Sequence, residues 1–329
     1  MAIPSSLSEH ARADDPPAAR GDLIGRLAAG DPAALARCIT LMESGGENAD
    51  RIYQRICTRL GHAAIIGFTG APGVGKSTLI DAYIGTLRAR GHTVAVAAVD
   101  PSSPIFGGAI LGDRVRMRRH GEDPGVFIRS LASRGHLGGL SESIHRIVDV
   151  MDAAGRDFII IETVGTGQSE VEVAEIADIC VVVNAPNMGD DVQAMKAGVL
   201  EIADVLVVNK ADLPLARRTA EQLKNMLKLR REKCDVAVIE TVATEETGIE
   251  TLFSAIAGLA TASRDKRKNR ERRMRRLIAE AAGRAVRDLI RDPAGDELED
   301  EELEDLVKAA SSGEIGVAEA AQRALKLVR

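Results

Sequence analysis

The sequence is poor in aromatic residues. It contains no Trp, two Tyr and five Phe among 329 residues, while hydrophobic types together make up 45% of the chain. The core must therefore be mainly aliphatic. Proteins that bind single-stranded nucleic acid commonly stack bases on exposed aromatic rings, and the net charge of −6 also disfavours a polyanionic ligand. We therefore expect no nucleic-acid partner.

Cysteine and long apolar runs are also scarce. The four cysteines are Cys38, Cys57, Cys180 and Cys234. Their spacing matches neither a CxxC motif nor a metal site, which is typical of reduced thiols in a cytoplasmic protein. No apolar stretch reaches the roughly 20 residues that span a bilayer, and the N-terminal residues lack the pattern of a secretory signal. The sequence predicts a cytoplasmic protein without a membrane partner.

The hydrophobic pattern divides the chain into three parts. Residues 1–60 combine a polar, disordered lead with helical periodicity. Residues 61–262 alternate short apolar runs with amphipathic stretches, which predicts an α/β domain with a mostly parallel sheet and helices on both faces. Residues 263–329 predict helices only. Their basic run at 264–276 is typical of a solvated helix, because acidic residues follow it. The predicted strands are 63–69, 93–100, 126–130, 157–163, 179–185, 204–210 and 236–241.

The stretch GAPGVGKST, residues 70–78, fits the phosphate-loop pattern GxxxxGK[ST]. It follows an apolar strand and precedes a helical pattern, which is the context that such a loop requires. Backbone N–H groups and the helix N-terminus would hold the phosphates. Lys76 is predicted to reach the β- and γ-phosphates, and the Ser77 hydroxyl to bind Mg²⁺. The predicted nucleotide contacts in this loop are Gly70, Gly73, Val74, Gly75, Lys76, Ser77 and Thr78.

The motif NKAD, residues 209–212, indicates that the base is guanine. The Asp212 carboxylate can accept hydrogen bonds from the N1–H and exocyclic amine of guanine, neither of which adenine offers. Asn209 is predicted to tie this loop to the phosphate loop, and Lys210 to cover the base. In ETVATEETG, residues 240–248, the Ala243 amide is predicted to reach guanine O6, next to Val242 where Ser is more usual. The motif argues against an ATP-dependent kinase.

Three acidic residues at or near predicted strand ends suit Mg²⁺. Asp100, Asp113 and Glu162 supply hard oxygen ligands, directly or through water, although each also fits a helix cap or a turn. The Gly165 amide is predicted to sense the γ-phosphate, and Gln168 to orient the attacking water. The predicted cofactors are therefore GTP or GDP and Mg²⁺.

These motifs resemble one family of GTPases. The chain is similar to the MeaB/ArgK-type chaperones of adenosylcobalamin-dependent acyl-CoA mutases, which are related to the human methylmalonic aciduria type A protein. The resemblance is dense over residues 63–215. It rests on GAPGVGKST, AVDPSSPIFGGAILGDRVRM, FIRSLASRGHLGG, ETVGTGQSE, GDDVQAMKAG and NKAD.

The resemblance implies a P-loop GTPase core with catalytic roles for Lys76, Glu162, Gln168 and Lys196. It places switch I between Asp100 and Asp113, switch II at ETVG, and a third switch at 186–196. In this third switch, Asp190, Gln193 and Lys196 would link the nucleotide state to the mutase. The C-terminal helices would form a homodimer arm. Hydrolysis would be slow until the mutase activates it, and the protein would gate cofactor loading and protect the mutase.

Two alternative functions, and the type of mutase, remain open at this stage. A metal-insertion GTPase for nickel, cobalt or zinc would need soft or borderline ligands, yet the histidines are scattered and only His136 lies in a Gly-rich loop. A nucleotide-gated scaffold would bind without partner-stimulated turnover. Asn184 and Asn187 stand where related chains often carry an apolar residue and a Gly, so the type of mutase stays open between methylmalonyl-CoA and an isobutyryl- or 2-hydroxyisobutyryl-CoA type.

Overall fold

The computed structural model describes residues 22–100, 118–132, 142–163, 169–186, 200–228 and 236–262, with short stretches between 270 and 324. The chain forms two compact units, Met1–Lys266 and Arg267–Arg329. The described residues of the second unit are mainly helical. Within the described ranges, no helix is long and apolar enough to cross a membrane.

From residue 22, where the description begins, three α-helices precede the sheet: α1 (Leu23–Ala28), α2 (Pro32–Ser44) and α3 (Glu47–Ile56). A break at Gly30–Asp31 separates α1 from α2. The Asp31 carboxylate caps α2 by accepting hydrogen bonds from the backbone N–H groups of Ala33 and Ala34, and Pro32 occupies the first turn, where no N–H is needed. The buried face of α2 includes Cys38, and burial raises the pKa of this thiol to about 11. It therefore stays protonated at neutral pH.

In the described part of the chain, seven strands form one sheet in the order β3-β2-β4-β1-β5-β6-β7. All six neighbouring pairs are parallel, which confirms the predicted α/β fold. Each predicted strand is present with its ends shifted by one or two residues. The strands are β1 (Ala64–Thr69), β2 (Val94–Asp100), β3 (Val126–Ala132), β4 (Phe158–Thr163), β5 (Ile179–Asn184), β6 (Val205–Val208) and β7 (Ala237–Glu240).

Helices cover both faces of the sheet. Between residues 64 and 262, the described α-helices are α4 (Lys76–Ala89), α5 (Glu142–Ala153), α6 (Ser169–Ile176), α7 (Ala216–Lys228) and α8 (Ile249–Ala262). Helices α4 and α8 pack on one face, whereas α1–α3, α5, α6 and α7 pack on the other. Because both faces are covered, most side chains of the strands are apolar, and the polar ones, such as Arg129 on β3 and Glu162 on β4, are the exceptions.

The strand order places the loop after β1 at a reversal point of the sheet. Strand β1 lies between β4 and β5; the chain first builds β2 and β3 beyond β4, and later adds β5, β6 and β7 on the other side. In open α/β sheets, ligands bind at such a point, outside the carboxyl ends of the strands. The carboxyl ends of the seven parallel strands therefore lie at one edge, where the described loops after β1, β6 and β7 begin.

Candidate guanine-nucleotide site

The phosphate loop connects β1 to α4 and depends on glycine for its shape. Gly70 has φ 143°, and a Cβ there would overlap the carbonyl oxygen of Val183 on β5. Gly75 has φ 92°, and a Cβ there would lie 2.5 Å from Nδ2 of Asn209. Only glycine satisfies both the backbone conformation and the close approach. The loop is thereby pressed against the ends of β5 and β6.

Lys76 and Ser77 begin α4 and point into the loop region. The Lys76 ammonium donates hydrogen bonds to the carbonyl oxygens of Gly70 at 2.7 Å and Ala71 at 3.0 Å. The Ser77 hydroxyl donates to Oε1 of Glu162 at 2.6 Å. All three side chains are buried. The N-terminus of α4 therefore presents the Lys76 ammonium beside the hydrogen-bonded pair of Ser77 and Glu162. A helix N-terminus is a position that favours phosphate binding.

The Ser77–Glu162 pair fits a magnesium ion. Hydroxyl and carboxylate oxygens are hard donors, and Mg²⁺ in nucleotide sites takes one or two protein oxygens together with phosphate oxygens and water. Asp100 ends β2, and in the sheet register Ala98 of β2 pairs with Glu162. Within the described ranges, no group of three or more His, Cys, Asp or Glu side chains forms a separate metal cluster.

Asn209 joins the base-binding region to the phosphate loop, as the sequence predicts. Its Nδ2 donates to the carbonyl oxygen of Val74 at 2.9 Å. Its Oδ1 accepts from the Thr241 hydroxyl at 3.1 Å and from the Ala243 amide at 3.2 Å. Asn209 is 2% exposed, so these bonds form away from solvent. One side chain thus fixes three loops against one another.

The remaining predicted base contacts lie around this asparagine. Lys210 has φ 56°, and its ammonium donates to the carbonyl oxygen of Gly73 at 2.8 Å. Asp212 is exposed beyond β6, where its carboxylate is accessible to a ligand. Val242 and Thr247 pair through their backbones and close the second base loop. Ala243 is buried with its amide on Asn209, so a guanine O6 would compete with Asn209 for that N–H.

Thr241 is a site residue that the sequence interpretation missed. Its hydroxyl binds Asn209, and its backbone N–H donates to the carbonyl of Val208 at 2.9 Å. The carbonyl of Thr241 also accepts from the Ala211 amide at 3.0 Å. The sequence signal for Thr241 is its place in ETVATEETG, directly after β7 ends at Glu240.

Several predicted site residues lie outside the described part of the chain. They are Asp113, Gly165, Gln168, Asp190, Gln193 and Lys196, together with the side chain of Asp100. His136, which the metallochaperone alternative would use, lies outside it as well. Their roles stay predictions. The described residues that converge are Gly70, Gly73, Val74, Gly75, Lys76, Ser77, Glu162, Asn209, Lys210, Val242 and Ala243, with exposed Thr78 on α4 and Asp212 at the rim.

The fold and the phosphate loop define a protein of the P-loop GTPase class. Residues 35–295 match the sequence profile of the family described as Methylmalonyl Co-A mutase-associated GTPase MeaB. This match covers more than half of the chain. The chain therefore belongs to the MeaB family of GTPases.

Individual relatives agree with this assignment. A putative GTPase of Pyrococcus abyssi is 43% identical over 93% of this chain and 95% of its own length. The GTPase ArgK of Escherichia coli is 39% identical over 73% of this chain and 75% of its own. A crystal structure of an LAO/AO transport system kinase superposes with a TM-score of 0.69 at 25% identity, covering 96% of this chain and 99% of that one.

One further relative is named for methylmalonic aciduria type A. The mitochondrial methylmalonic aciduria type A homolog of Caenorhabditis briggsae is 37% identical to this chain, over 68% of this chain and 58% of its own length.

Proposed function

We propose that this GTPase is a chaperone of an adenosylcobalamin-dependent acyl-CoA mutase. The observation that carries the proposal is the family match over residues 35–295, because that family is described as mutase-associated. The protein would gate cofactor loading and protect the mutase, with slow GTP hydrolysis that the mutase activates. The mutase acts on methylmalonyl-CoA, or on an isobutyryl- or 2-hydroxyisobutyryl-CoA type of substrate. The cytoplasmic location is part of the same proposal.

The geometry supports the following roles in hydrolysis. Lys76 exchanges its two carbonyl partners for β- and γ-phosphate oxygens, where its charge offsets the charge that develops during phosphoryl transfer. Ser77 and Glu162 would hold Mg²⁺, which when bound would supply positive charge that offsets the charge of the phosphates. Both side chains are buried, and the Ser77 hydroxyl already donates to the Glu162 carboxylate at 2.6 Å. Their oxygens are therefore held close together before any ion binds. Gly165 and Gln168 are proposed to sense the γ-phosphate and to orient the attacking water.

Coupling to the mutase is assigned to residues near β5. The segment after Pro186, with Asp190, Gln193 and Lys196, follows this strand directly, and Val183 of β5 contacts the phosphate loop at Gly70. A change in the loop that accompanies hydrolysis would therefore act on the strand from which this segment departs. The C-terminal helices, residues 263–329, are proposed to form the homodimer.

The test is GTP hydrolysis by the purified protein, alone and with each candidate mutase from the same source, using ATP as the control nucleotide. We expect GTP turnover to rise at least 10-fold with the correct mutase, and ATP turnover to stay at background. GTP turnover that no candidate mutase stimulates would contradict the chaperone role and leave the GTPase assignment intact.

Two variants separate nucleotide binding from coupling. Lys76→Ala should abolish tight GTP binding. Lys196→Ala should keep GTP affinity, measured by equilibrium titration, and lose stimulation by the mutase. Full stimulation of Lys196→Ala would show that the third-switch assignment is wrong.

A further inference from the structure

A second connection joins the loop after β7 (residues 240–248, here the base loop) to α4, the helix that follows the phosphate loop. It lies on the outside of the site. It consists of Arg119 and His120, in the helical turn Arg118–His120, with Asp81 on α4 and Glu246 beside the turn Ala243–Glu245. The two guanidinium branches of Arg119 face different carboxylates. Nη1 lies 3.5 Å from Oδ2 of Asp81, and Nη2 donates to Oε1 of Glu246 at 3.1 Å.

The Asp81 end of this connection is buried. Its side chain is 11% exposed, and Asp81 lies one helical turn after Ser77 on the same face of α4. His120 donates from Nε2 to the carbonyl oxygen of Asp81 at 3.0 Å; since a carbonyl only accepts, this nitrogen carries the proton. A carboxylate in this setting needs a cation nearby. Among the side chains that the structure describes, Arg119 and His120 lie beside it.

The Glu246 end sits in an unusual backbone conformation. Glu246 has φ 56° and ψ 16°, a left-handed geometry that glycine adopts without strain and that other residues adopt at a cost. The turn is held by the Ala243 carbonyl and the Val242–Thr247 pairing. A glutamate at a position that favours glycine is explained if its carboxylate has a partner, and the partner in the structure is Arg119.

We propose that Arg119 is a positioning residue that couples the guanine loop to the phosphate-loop helix and so slows nucleotide release. Asn209 joins the same two regions from inside, and the Asp81–Arg119–Glu246 bridge joins them from outside. With the bridge intact, the base loop is held by Asn209 on one side and by Arg119 on the other. A nucleotide that leaves must displace a loop that is held in both places. The inference rests on nucleotide binding by this family and is independent of the mutase.

The experiment measures dissociation of a fluorescent GDP analogue, chased with excess unlabelled GDP, by the full-length protein. Arg119→Ala and Glu246→Gly should each raise the dissociation rate about 2- to 5-fold, which is the upper range for exposed ion pairs such as Arg119–Glu246. The double variant should be no faster than Arg119→Ala alone, because both changes break one bridge. Arg51→Ala, which breaks the exposed Arg51–Glu47 pair on α3, should match the wild type.

Two readouts distinguish positioning from a purely structural role. At about 1 M salt, where the Debye length is about 3 Å, the ratio of variant to wild-type rates should fall towards one. Glu246→Gly should keep or raise the thermal midpoint, since glycine removes the backbone strain, while still speeding release. It also keeps the Asp81–Arg119 pair, so it tests the bridge even if Arg119→Ala folds poorly.

The outcomes are separable. Wild-type dissociation rates in both Arg119→Ala and Glu246→Gly would overturn the inference, as would accelerations that multiply in the double variant or persist at high salt. A wild-type protein that does not retain GDP at all would instead overturn nucleotide binding, on which the proposed function also depends.

Discussion

At the scale of single residues, the site is organised around side chains that hold loops rather than around side chains that hold ligand. Asn209 uses both ends of its amide on protein atoms, Val74 on one side and Thr241 with Ala243 on the other. A buried amide that lost these partners would leave several polar groups unsatisfied, each at a cost of about 1–3 kcal/mol. Asp212, in contrast, is exposed and available to the base.

The base preference can be tested at Asp212. Asp212→Asn should lower GTP affinity about 10- to 100-fold, because a carboxylate that accepts two hydrogen bonds is replaced by an amide with one acceptor. The same variant should gain affinity for xanthosine triphosphate, whose C2 carbonyl replaces the amine and accepts from the new NH₂ group. Equilibrium titration with both nucleotides measures the exchange of preference.

Glu221→Gln provides the control for that experiment, since it neutralises an exposed carboxylate on α7 away from the predicted base contacts. It should bind GTP as the wild type does. If Asp212→Asn retained full GTP affinity, Asp212 would not contact the base.

At the scale of elements, glycine serves opposite purposes in α4 and in the base loop. Gly85 lies inside α4, and a Cβ there would meet nothing within 4 Å. Gly248 has φ 80°, and a Cβ there would overlap the carbonyl oxygen of Glu240. The first glycine only weakens its helix, whereas the second permits the turn that brings β7 back to α8.

Two alanine substitutions should therefore change stability in opposite directions. Gly85→Ala should raise the free energy of unfolding by about 0.5–1 kcal/mol, because alanine loses less backbone entropy in a helix. Gly248→Ala should lower it by more than that, since the native φ and the space are both incompatible with a Cβ. Urea denaturation of both variants checks this, and a loss of stability in Gly85→Ala would contradict the structure of α4.

At the scale of the whole molecule, the N-terminal helices belong to the same core as the sheet. Ile39 of α2 is fully buried in the cluster that contains Ile159 and Ile161 of β4. Polar contacts support the packing: Arg129 of β3 donates to Glu43 at 2.6 Å, and Tyr53 donates to Asp149 of α5 at 2.6 Å. The N-terminal helices thus close one face of the sheet.

Truncation of Ile39 tests this packing. Ile39→Ala should lower the free energy of unfolding by about 2–5 kcal/mol through lost burial and a residual cavity. Leu215→Ala, at a site in the same compact unit that is 53% exposed, should change it by less than about 0.5 kcal/mol. Thermal and urea denaturation give the comparison, and equal effects of the two substitutions would show that α2 does not pack in the core.

The sequence by itself determined the strands, the phosphate loop and the base motif. Each of these is written locally: strands β1–β7 as short apolar runs, the loop as glycines at fixed spacing before Lys76 and Ser77, and the base motif as NKAD. Local patterns of this kind constrain backbone conformation directly. They also placed the parallel sheet, because both faces of the strands were apolar.

Only the tertiary structure decided which distant residues meet. Ser77 and Glu162 are 85 positions apart, yet they form the pair suited to Mg²⁺. Arg119 reaches Asp81 and Glu246 from a turn that no motif marks. Strand order brings the loop ends to one edge, and no local pattern encodes that order. Side-chain contacts between distant residues therefore follow from the packing of the whole chain. A local sequence pattern does not say which distant residue each side chain will contact.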